Sequence, residues 1–131
     1  MKNQKPLLLL LLCISLSFSG CRKDNTLHQV FFFTNLSGEK GQLDLYVNDT
    51  YQGKLPYINA SAMELHDSLL SKTLSIGLKS GTYTIKARNS ADELKVNCRI
   101  SFSTNKTSTS GSMGGNELSG RNKQLVVNLF Y

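Results

Sequence analysis

Five apolar side chains, Leu94, Val96, Cys98, Ile100 and Phe102, alternate with Lys95, Asn97, Arg99 and Ser101. A β-strand turns successive side chains to opposite faces, so this segment has one face to bury and one to solvate. The same two-residue period runs through Leu43, Leu45 and Val47, through Leu74, Ile76 and Leu78, and through Tyr83, Ile85 and Ala87. Leu125, Val127, Leu129 and Tyr131 repeat it at the end of the chain. Val30-Phe31-Phe32-Phe33 is β-favouring and apolar enough for burial on both faces. Turn chemistry at Gly38-Glu39-Lys40-Gly41, Asn48-Asp49 and Ser80-Gly81 separates these runs. Residues 51–55 read as a short returning strand, after which Pro56 offers no ladder donor. About seven strands with short turns predict an all-β chain, a small antiparallel β-sandwich.

Two segments fall outside this pattern. In 59–71, Ala62, Met63, Leu65, Leu69 and Leu70 fit one or two helical turns behind Ser61. A loop packed over the end of the sandwich accounts for them equally well. Residues 104–122 are rich in Ser, Thr, Gly and Asn with little to bury, which predicts a long mobile loop.

The first twenty-one residues carry a different message. Lys2 and Lys5 give a basic start, residues 7–18 are apolar, and Ser19-Gly20-Cys21 follows. That layout is a secretory signal peptide. Twelve residues fall short of the roughly 20 that a membrane-spanning helix needs. Ser-Gly-Cys resembles a bacterial lipobox, which implies cleavage of 1–20 before Cys21 and lipid on its sulfur. The resemblance further implies two or three acyl chains of palmitate type, permanent attachment, and an outer-membrane address facing periplasm or surface. The expected division is signal peptide 1–20, lipidated tether 21–27, and a single domain 28–131. Lys23-Asp24 resembles part of the surface-export signal of Bacteroidota lipoproteins.

Lys2 and Lys5 leave with the signal, so fifteen basic residues become thirteen against nine acidic ones. These charges are scattered, with no basic run and no interleaved aromatic platform, which points away from nucleic acid. Cys13 leaves as well and lipid claims Cys21, so Cys98 has no partner for an internal disulfide.

Residues 45–56, Leu-Tyr-Val-Asn-Asp-Thr-Tyr-Gln-Gly-Lys-Leu-Pro, resemble the strand-turn-strand of PEGA-like envelope domains. Residues 78–85, Leu-Lys-Ser-Gly-Thr-Tyr-Thr-Ile, resemble their later Gly-x-Tyr strand. Asn48-Asp49-Thr50 departs from the usual Asp-Gly turn, and the insertion 57–73 departs further. The resemblance implies an immunoglobulin-like or PEGA-like sandwich used as a surface module, without catalytic residues.

Chemistry-bearing residues are few. His66-Asp67-Ser68 has the letters of a hydrolase triad, but three consecutive residues cannot form its hydrogen-bonded line. Asp67-Ser68-Leu69 resembles a Bacteroidota O-glycosylation acceptor, making Ser68 a candidate modification site. His28 and His66 lack neighbours at metal-ligand spacing. Gly111-Ser112-Met113-Gly114-Gly115 lacks the lysine and the helix of a phosphate cradle. Asn35, Asn48, Asn59 and Asn105 fit the N-glycan pattern, which a bacterial lipoprotein would not normally use. Tyr46, Tyr51 and Tyr57 are candidate ligand-stacking rings. No catalytic residue, cofactor or metal is expected. The expectation is a lipid-anchored, non-enzymatic envelope module, structural or interacting. Its alternative is a surface lipoprotein that binds glycan, peptide or a host component through loops 57–72 and 104–122.

Overall fold

The computed structural model describes residues 25–36, 42–104, 106–121 and 123–131. The signal segment, Cys21 and the 38–41 turn lie outside the described residues. Nine strands are described: β1 (Leu27–Phe33), β2 (Asp44–Val47), β3 (Thr50–Lys54), β4 (Leu74–Lys79), β5 (Gly81–Arg88), β6 (Leu94–Phe102), β7 (Thr107–Met113), β8 (Gly115–Arg121) and β9 (Gln124–Phe130). One short helix, α1 (Asp67–Leu70), precedes β4. The strands form a four-stranded sheet in the order β4-β1-β9-β8 and a five-stranded sheet in the order β3-β2-β5-β6-β7.

Alternation explains how the sheets meet. Leu45, Val47, Ile85, Ala87, Val96, Cys98, Ile100 and Phe102 are buried on the inner face of the larger sheet. Val30, Phe32, Leu125, Val127 and Leu129 of the smaller sheet share their core. Half-buried Leu74, Ile76 and Leu78 extend it along β4. The sequence pattern is thus realised as two sheets packed face to face.

Three differences from the sequence reading have physical causes. Among the nine described strands pairing is antiparallel except between β1 and β9, which run parallel. Residues 104–122 are not a loop, because β7 and β8 occupy most of them. All seven residues of β7 are exposed, so its pairing with β6 comes from the backbone ladder and leaves no apolar signature. Segment 59–71 holds a turn after Ser61 and the single turn α1, whose N-cap is His66 and not Ser61, and it covers a sheet face instead of the end of the sandwich. Its apolar residues pack on the outer face of the smaller sheet, where Ile58 and Ala62 join Phe33 and Val126 in a second core. This explains why β1 and β9 are buried on both faces. The larger sheet keeps its outer face in water.

Candidate functional site

That uncovered face is the candidate site. Tyr51 of β3, Tyr46 of β2, Lys86 of β5 and Asn97 of β6 are cross-strand neighbours. Since Leu45, Val47, Ile85, Ala87, Val96 and Cys98 turn inward, these four turn outward. The Tyr46 and Tyr51 rings lie 5.7 Å apart at 59°, and the Arg88 guanidinium sits 5.9 Å from the Tyr46 ring centre. Tyr57 is not part of this group. It follows Pro56 and bridges Thr34, beyond the end of β1.

Across β5, β6 and β7 the face carries hydroxyls around one guanidinium. Thr84, Arg99 and Ser110 are opposite one another, as are Thr82, Ser101 and Ser108. Thr82 Oγ1 donates to Ser101 Oγ at 3.0 Å. Short side chains on β7 beside the long Arg99 and Lys86 leave two shallow hollows. One, of about 370 Å³, is lined by Thr84, Lys86, Asn97, Arg99, Ser110 and Ser112, among others. The second, of about 270 Å³, lies between Thr82, Ser101, Ser108 and Thr109 and shares Arg99 and Ser110 with the first. Arg99 and Ser110 form the wall common to both.

Charge pairing engages the other cations of strands β5 and β6. Lys86 Nζ lies 2.7 Å from Asp49 Oδ1, and its hydrogen bond and charge hold the Asp49 carboxyl below the usual carboxylate range. Arg88 reaches Asp92 at 4.0 Å, and Lys95 reaches Glu93 at 3.1 Å. Hydrogen bonds from Lys95 and then Asn89, with the Lys95 charge, lower the Glu93 carboxyl likewise. Arg99 is exposed and has no ion pair among the described residues. A guanidinium presents five donors in a planar fork suited to a carboxylate, sulfate or phosphate.

A third hollow, of about 320 Å³, lies between segment 62–70 and strands β8 and β9. His66, Asp67, Ser119 and Gln124 line it, whereas Ser68 does not. No hydrogen bond joins His66 or Asp67 to a hydroxyl among the described residues. Ser68 is exposed on α1, sterically open to modification. His28 is buried apart from His66, with Nε2 at 3.0 Å from Ser80 Oγ and its ring edge-on to Phe102 at 4.9 Å. Among the described residues no three of His, Cys, Asp and Glu gather at metal-binding distance. No helix there is long and apolar enough to cross a membrane.

Sequence reasoning named Tyr46 and Tyr51 and put Arg99 on the polar face of its strand. It missed the hollows, because their far wall is β7, which has no apolar period to reveal a strand. The Thr-Ser alternation of 107–110 was the available signal, since Thr is β-favouring. No protein-family model, curated protein or solved structure matches the chain.

Proposed function

We propose that this chain is a lipid-anchored, non-enzymatic interaction module of the bacterial cell envelope, held by acyl chains on Cys21. Its working surface is the outer face of the five-stranded sheet, and the ligand class is an acidic glycan. One observation carries the ligand: Arg99, unpaired, stands between two hydroxyl-lined hollows on a face that also presents the Tyr46–Tyr51 ring pair. Hydroxyls and amides exchange hydrogen bonds with sugar hydroxyls, rings stack on sugar faces, and a guanidinium takes the acid group. The face offers the paired Lys86 ammonium, the Arg88 guanidinium beside Tyr46, the unpaired Arg99 guanidinium and neutral hydroxyls. Such groups hold an anion and include no base to activate a nucleophile. Support for the anchor is the run 7–18 followed by Ser19-Gly20-Cys21. The PEGA-like resemblance of 45–56 and 78–85 fits a surface module of this kind.

Titration with a sulfated heparin hexasaccharide and a neutral cellohexaose tests the reading. Binding of the acidic sugar alone is expected, weakened roughly 10-fold by Arg99→Ala, on the scale of one charge-assisted hydrogen-bonded pair. Equal affinity for both sugars, or an Arg99→Ala variant that binds unchanged, overturns it. Intact-mass analysis of the exported protein reads the anchor separately, since a mature chain with unmodified Cys21 removes it.

A further inference from the structure

Among the described residues, the three turns around the point where the chain enters the sandwich carry cationic and neutral side chains. Thr26 precedes β1, and three turns surround it. The amide of Ser80, in the β4–β5 turn, donates to the Thr26 carbonyl at 3.0 Å. Thr26 Oγ1 lies 3.4 Å from Thr104 Oγ1 in the β6–β7 turn. The Gln29 amide donates to the Lys123 carbonyl in the β8–β9 turn at 3.0 Å. Each turn carries an exposed lysine: Lys79, Lys106 and Lys123 respectively. None of the three is ion-paired among the described residues.

Carboxylates sit elsewhere. The described residues 26–29, 77–82, 101–104, 106–108, 119–121 and 123–125, which the strand pairing places at this end, contain no Asp or Glu. Asp44, Asp92 and Glu93 belong to the opposite end, as the pairing of Asp44 with Arg88 at the far limit of β5 shows. Asp49 is engaged by Lys86, and Asp67 lines the flank hollow that reaches Gln124. A hollow of about 230 Å³ opens between Lys106 and Lys123, floored by His28, Phe102 and Leu125. It is wide enough for a headgroup phosphate between two ammonium groups.

Resting on the anchor reading above, we infer that this end docks on the anionic headgroups of the bilayer that holds the lipid. The occupant follows from chain length as well as from charge. Cys21 precedes Leu27 by six residues, which extend at most about 20 Å. A lipid at Cys21 therefore keeps the β1 end within about 20 Å of the headgroups. Arg22 and Lys23, set against Asp24, add one net positive charge along that same short span. Basic residues near an anionic surface are attracted within a Debye length, about 8–10 Å at physiological salt. Docked this way, the strands stand away from the membrane and the Arg99 face is left open at the side. Anchor and binding surface then do not compete.

The test uses the exported, lipidated protein in vesicles of pure phosphatidylcholine or of phosphatidylcholine with phosphatidylglycerol. Amine-reactive labelling is read at each lysine by mass spectrometry. In the anionic vesicles Lys79, Lys106 and Lys123 should label at least 3-fold more slowly, and high salt should restore them. Lys54 and Lys72, away from this end, should not change. Lys106→Glu/Lys123→Glu should abolish the protection of Lys79, whereas Lys54→Glu/Lys72→Glu, with the same change in net charge, should keep it. Uniform labelling in both vesicle types overturns the proposal. If Cys21 proves unmodified, the anchor fails by itself. The same chain added to preformed anionic vesicles must then still shield the three lysines for the docking end to survive.

Discussion

Gly114 passes so close to Lys95 that a Cβ on it would lie 2.7 Å from the Lys95 carbonyl oxygen. The Phe130 carbonyl oxygen would be 2.9 Å away, and the φ of +69° already lies in the left-handed region. Gly114 is the single residue between β7 and β8, where the chain leaves one sheet and joins the other. Both obstacles are backbone atoms in paired strands, so neither yields cheaply. Gly114→Ala should therefore cost about 3 kcal/mol, the upper range for one strained backbone position. Urea unfolding checks this, and a loss under about 1 kcal/mol would mean the corner relaxes freely.

Strand β7 makes a prediction that the loop reading could not. The Ser103 amide donates to the Lys106 carbonyl at 2.8 Å, which marks 103 and 106 as a hydrogen-bonded pair. Such pairs alternate along an antiparallel ladder, so Ser108 and Ser110 bond β6, while Thr107 and Thr109 turn their amides to the open edge. Hydrogen exchange resolved by residue should be slow at Ser108 and Ser110 and fast at Thr107 and Thr109. Uniformly fast exchange over 107–113 would restore the mobile loop.

What the sequence disclosed follows from burial. Strands β5 and β6 were legible because Ile85, Ala87, Val96, Cys98 and Ile100 each have one dry face, and dryness writes a two-residue period. Strand β9 was legible at alternate positions, yet Val126 and Asn128 are buried on its other face. That second burial depends on Ile58 and Ala62 folding back from a distant segment, which local periodicity cannot encode. Asn128 is a polar residue in this dry layer, accepting from the Asn35 amide at 3.1 Å and donating to Glu117 at 3.2 Å. The Arg99 face was half visible. Its β6 half came from alternation, whereas its β7 half is held by backbone bonds alone.

The β2–β3 turn keeps a strain that one substitution should relieve. Asn48 and Asp49 have φ of 48° and 64°, the left-handed pair that lets a two-residue hairpin follow strand twist. Asn48 Oδ1 accepts from the Thr84 amide at 2.9 Å, so that side chain supports the turn. Asp49 contributes an exposed ion pair to Lys86, worth little in water. Asp49→Gly removes a left-handed penalty of about 1 kcal/mol and should raise the melting temperature by a few degrees. A lower melting temperature would show that the Lys86 pair outweighs the strain.

Cys98 supplies the last prediction. Its side chain is 4% exposed within the core formed with Val96, Ile100 and Phe102. Burial raises its pKa from 9.0 to about 11, because a thiolate there would lose its hydration. At neutral pH the thiol is protonated and shielded, so a thiol reagent should label Cys98 negligibly in the native protein and fully after denaturation. The raised pKa also fixes a pH dependence. Below pH 9 the thiol is protonated both folded and unfolded, and its contribution to stability is complete. Between about pH 9 and 11 the unfolded chain loses the proton and the folded chain keeps it, so stability falls as pH rises. Two pKa units correspond to about 2.7 kcal/mol at most. Cys98→Ala lacks this ionisation, so urea unfolding should show the wild type losing stability relative to the variant over that interval. Parallel curves, or rapid native labelling, would place the thiol in water and put the β6 register in error.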